Sequence, residues 1–66
     1  MSSVIGETAG MVWRYLNDNG PATTARIQKG IGADAALTNQ AIGWLAREGK
    51  VAAERRKRTT TYTLVG

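Results

Sequence analysis

A mainly α fold closed by a small C-terminal β-hairpin, an α+β class, is what these 66 residues predict. Three observations predict it. Apolar residues recur at helical spacing up to about residue 48 and at a spacing of two after Gly49. Glycine, proline and capping residues cut the helical part into three pieces. A threonine-rich, β-forming stretch from Thr59 to Val65 follows a shorter one that begins at Lys50, which is a hairpin pattern. Composition agrees, at 42% hydrophobic and 21% charged. A chain this short buries about 60% of the surface its unfolded form exposes, which allows one modest core. Residues 1–66 are therefore expected to form one domain.

The first helix is expected over 4–18, capped by Ser2 or Ser3. Ile5, Ala9, Val12 and Leu16 form its apolar stripe, with Trp13 on the border. Gly6 and Gly10 cost that helix about 1 kcal/mol each relative to alanine, so close approach of another backbone is expected there. Gly20 and Pro21 end it. Ala22 follows in an extended link. Thr23 or Thr24 caps a short helix over 24–29, whose main apolar residue is Ile27, and Gly30-Ile31-Gly32 forms a turn. Asp34 caps a third helix over 35–48, which stops at Gly49. Its buried side is expected to carry Leu37, Ala41, Trp44 and Leu45. The hairpin spans 50–65, with Val51 and Ala53 on one face of its first strand and Tyr62 and Leu64 sharing a face of its second.

A short helix joined to a longer one by a glycine-containing turn is the helix-turn-helix pattern. A hairpin directly after the second of these helices is a wing. The order of elements thus predicts a winged helix-turn-helix, three helices plus a C-terminal two-stranded wing, with no long loop left over. The sequence Ile5-Gly6-Glu7-Thr8-Ala9-Gly10, with Val12-Trp13 and Tyr15-Leu16-Asn17, resembles the first helix of a family of short prokaryotic winged helix-turn-helix proteins. Gly43-Trp44-Leu45-Ala46-Arg47-Glu48-Gly49-Lys50 resembles that family's second signature. The resemblance covers nearly the whole chain. It implies the fold, and through the fold DNA binding. The arginine-rich hairpin tip and the threonine run lie outside the signature.

Net charge is +4, and its distribution matters more than its size. Residues 1–54 carry five basic and five acidic side chains, so the entire excess sits in Arg55-Arg56-Lys57-Arg58. A neutral body with one positive tip predicts a polyanion contact at one place. Those four cations are candidate phosphate or minor-groove ligands, because phosphate neutralisation supplies much of DNA affinity. On the third helix, the side opposite the expected core carries Ala36, Asn39, Gln40, Gly43 and Arg47. Asn39 and Gln40 suit adenine, Arg47 suits guanine, and Gly43 lets the helix sit close to base edges. The same small, nearly uncharged face also suits a protein contact.

Enzyme chemistry is not expected. The chain has no histidine or cysteine, its five carboxylates lie on separate elements, and Gly30-Ile31-Gly32 lacks the lysine of a phosphate loop. No metal site and no cofactor are expected. Nothing reads as a membrane span or signal peptide, which makes the cytoplasm the expected location. The expected partner is double-stranded DNA, engaged by a small transcriptional regulator or nucleoid-associated factor. A homodimer through the first helix, at Trp13 and Tyr15, is a further expectation. The alternative is a protein–protein interaction module on the same scaffold. RNA is a weaker third, since the hairpin lacks exposed aromatics.

Overall fold

The structure, a computed structural model, describes residues 4–65. The capping role expected of Ser2 or Ser3 lies outside the described residues. Six elements follow in order: α1 (Val4–Asn19), β1 (Ala22–Thr23), α2 (Thr24–Ile31), α3 (Ala35–Arg47), β2 (Val51–Arg56) and β3 (Thr59–Leu64). Among the described residues, no helix is long and apolar enough to cross a membrane.

Local chemistry sets the helix ends. The α1 helix stops where Gly20 takes φ 81° and its N–H bonds the Leu16 carbonyl at 2.8 Å. The Thr23 hydroxyl caps α2 by accepting from the Arg26 N–H at 3.3 Å. This helix runs two residues past the expected end, through Gly30 and Ile31, and only Gly32, at φ 71°, turns the chain. The Asp34 carboxylate caps α3, accepting from the Leu37 N–H at 2.7 Å. The expected extended link is itself paired. Ala22 and Thr23 lie opposite Tyr62 and Thr61, so the hairpin becomes a three-stranded antiparallel sheet in the order β1-β3-β2.

The core is built from Ala9, Val12 and Leu16 of α1, Ala22 of β1, Ile27 of α2, Ala41, Ile42 and Leu45 of α3, and Val51 of β2. Ile5 of the expected stripe is only half-buried. The larger correction concerns α3. Its buried side is Thr38, Ala41, Ile42 and Leu45, while Leu37 is half-buried and Trp44 is 37% exposed. At 100° per residue this turns the core direction by about 65° from the one expected. Two features explain the turn. Thr38 can be fully buried because its hydroxyl donates to the Asp34 carbonyl at 2.8 Å, which leaves no stranded polar atom. Ile42, a branched aliphatic, joins Ala41 and Leu45 in packing on Ala9, Val12, Leu16, Ala22, Ile27 and Val51, and takes the core place expected of Trp44. Trp44 lies at the edge instead, its ring N–H donating to Glu48 Oε1 at 3.1 Å.

Tyr15 packs inward. Its ring lies over Gly30 of α2 so closely that a Cβ there would overlap it, and it covers the edge of the core. Half-buried and engaged within the chain, Tyr15 is not the exposed contact residue expected of it.

Candidate nucleic-acid interface

Pairing between β2 and β3 fixes where each tip residue points. Val51, Ala53 and Arg55 lie opposite Leu64, Tyr62 and Thr60, on the face that packs against the helices. Ala52, Glu54 and Arg56 lie opposite Thr63, Thr61 and Thr59, on the other face. The hairpin soon outruns the core, since Val51 is buried and every residue from 52 to 59 is exposed. Lys57 and Arg58 make a two-residue turn between the last pair, Arg56 and Thr59. Lys57 takes φ 52°, a left-handed conformation that hairpin turns normally give to glycine or asparagine.

The four cations of the tip are therefore not equivalent. Arg55 leaves from the helix-facing side and Lys57 and Arg58 from the end. Arg56 leaves from the outer side, where its guanidinium meets Glu54 at 3.1 Å. Among the described residues, Arg55, Lys57 and Arg58 have no carboxylate partner. The pair is legible in the sequence, because residues two apart in a strand share a face and Glu54 and Arg56 have that spacing. Charge counting alone passes over it.

On α3, Ala36, Asn39, Gln40, Gly43 and Arg47 are all exposed. The 65° turn of the core leaves them on the solvent side, because they cover a broad arc opposite both the expected and the observed core. A Cβ added at Gly43 would meet nothing within 4 Å, so the backbone there is open to close approach from outside. A groove of about 570 Å³ runs beside this face, floored by Gly43 and walled by Ile5, Gln40, Trp44 and Arg47. Of α3's own residues only Arg47 is charged, with Asp34 at its N-terminal cap. The α3 helix thus offers amide side chains and bare backbone, and the hairpin offers positive charge.

The family whose model matches the chain, over residues 1–64, is described as a winged helix-turn-helix domain (DUF2582). The chain belongs to this family. In winged-helix terms α2 and α3 form the helix-turn-helix unit, and β2 and β3 form the wing. Solved structures agree with the fold. Protein BT2368 from Bacteroides thetaiotaomicron is 31% identical with a TM-score of 0.86, over 92% of this chain and 74% of that one. The Zalpha domain of Carassius auratus PKZ, solved in complex with Z-DNA, is 24% identical with a TM-score of 0.84, over 96% and 100%. A structure of HOP2, described by its DNA recognition and protein interaction domains, is 27% identical with a TM-score of 0.72, over 88% and 98%. A comparison with curated proteins matched none.

Proposed function

We propose that this winged helix binds double-stranded DNA, with α3 in the major groove and the wing on the flanking backbone or minor groove. One observation carries the reading: the whole net charge sits on an exposed hairpin tip that projects past the core, three of its four cations without a carboxylate partner. Phosphate contacts supply affinity and steer association. The exposed amides of Asn39 and Gln40 supply hydrogen bonds to base edges, Arg47 a fork for guanine, and Gly43 the clearance that lets α3 sit deep. Arg55, Lys57 and Arg58 neutralise phosphates, while Arg56 is held by Glu54. The fold lends support, since it is the fold of a domain solved on Z-DNA and of a HOP2 structure described by its DNA recognition and protein interaction domains. The cellular role that fits is a small cytoplasmic transcriptional regulator or nucleoid-associated factor.

NMR titration with duplex DNA at low salt tests this. Amide shifts are expected along 35–47 and 55–61. Replacing Asn39 or Gln40 by alanine is expected to cost about 1–3 kcal/mol on a preferred site and much less on random duplex. No shifts at low salt would refute the DNA reading. A protein contact on the same scaffold is the second reading, and the exposure of Trp13 and Trp44 favours it.

A further inference from the structure

We propose that the groove between α1 and α3 seats a second copy of this chain, in a two-fold pair that lays Trp44 of each copy over Gly10 of the other. The inference does not rest on the DNA reading. The groove holds about 450 Å³ and is lined chiefly by Gly6, Gly10, Trp13, Trp44, Glu48 and Lys50. It gathers both tryptophans of the chain at one place on the surface, 42% and 37% exposed, while the core contains neither. Aromatic rings carry the largest apolar area of any side chains and usually dominate cores and interfaces. Trp44 is ready to be covered, because its ring N–H is already bound to Glu48 and burial would strand no donor.

Gly10 supplies the second argument. It sits mid-helix and exposed, where glycine weakens a helix, and a Cβ there would meet nothing within 4 Å. Nothing inside the chain needs that position to be small. A backbone left bare beside two exposed indoles is a receiving surface for something from outside.

The occupant follows from the patch's own make-up. An isologous interface is one surface used twice, so it must carry both halves of every contact. This patch carries a projection, Trp44, and a receptor, the floor at Gly10. It also carries both signs of charge at its rim, Glu48 and Lys50, two residues apart. A two-fold axis between them sets Glu48 of each copy against Lys50 of the other. Asn39 lies on the far side of α3 from this groove and stays open, while Trp44 also borders the neighbouring groove of Gln40, Gly43 and Arg47.

Sedimentation equilibrium from about 10 μM to 1 mM, the range of a small interface, tests this on the full chain, with tryptophan emission read in parallel. The expected result is a doubling of the mass with concentration and a blue shift over the same range, because the only two indoles leave water together. Gly10→Leu, which favours the helix and has open space for its side chain, is expected to stay folded and monomeric at ten times the parent's midpoint. Lys50→Glu is expected to abolish association, and Lys50→Arg, which keeps the charge and leaves Glu48 on the Trp44 N–H, to retain it. A parent that is monomeric at 1 mM overturns the proposal, and so does a Gly10→Leu variant that associates like the parent.

Discussion

Replacing Arg55, Arg56, Lys57 and Arg58 by glutamine keeps side-chain length and removes the entire net charge of the protein. Four phosphate contacts would lower the slope of log K against log salt by about 3.6, at about 0.9 each. The structure argues for fewer. Arg56 already faces Glu54 at 3.1 Å, so its charge is locally balanced, although both side chains are well exposed and the pair is worth at most about 1 kcal/mol. The other three are free to contact phosphates, which gives a flattening of about 2.7. Between 50 and 200 mM salt the parent should then lose about 40-fold more affinity than the variant. The single variants divide the effect. Arg55→Gln, Lys57→Gln and Arg58→Gln should each flatten the slope by about 0.9, and Arg56→Gln by much less. Glu54→Gln should steepen it by up to about 0.9, because Arg56 is released to the DNA. Fluorescence anisotropy with a labelled duplex at several salt concentrations measures all of this, and circular dichroism checks that each variant is folded. A folded quadruple variant with the parent's slope would refute the reasoning and return the tip to an ordinary solvated turn.

Three further variants test the fold that holds the interface. Leu45→Ala should cost about 2–5 kcal/mol, as for a buried leucine, which is a large part of the stability of so small a domain; an unchanged urea midpoint would show that α3's buried side is misassigned. Gly30→Ala should destabilise by about 1–3 kcal/mol through overlap with the Tyr15 ring. In a Tyr15→Ala background the same change should gain up to about 1 kcal/mol of helix propensity, and a double-mutant cycle without that sign change would show that Tyr15 does not cover Gly30. Lys57→Gly should raise stability by about 1 kcal/mol by relieving the left-handed turn while flattening the salt slope by about 0.9. A thermal melt and the anisotropy assay read the two effects separately, and a drop in melting temperature would mean that the turn carries no strain.

Sequence by itself determined the three helices and the hairpin, their order and the place of the charge. Helical spacing in 4–18, a cap at Thr23 or Thr24 and another at Asp34, the stop at Gly20 and the change of period after Gly49 are local chemistry, and each operates within about four residues. The charge of the tip is likewise a property of consecutive residues, and strand alternation already sets Glu54 beside Arg56. Tertiary structure decided what depends on a neighbouring element. Whether α3 buries Trp44 or Ile42 is not a property of α3, since both lie beside the Ala41 and Leu45 stripe. The core that α1, β1, α2 and β2 present to α3 takes Ile42 and leaves Trp44 at its edge. Gly30 needs the ring of Tyr15, fifteen positions earlier, to explain it, and β1 exists only because β3 returns to pair with it. Periodicity reports the direction of apolar residues on one helix, but the shape of the space that helix faces selects which of two adjacent faces is buried.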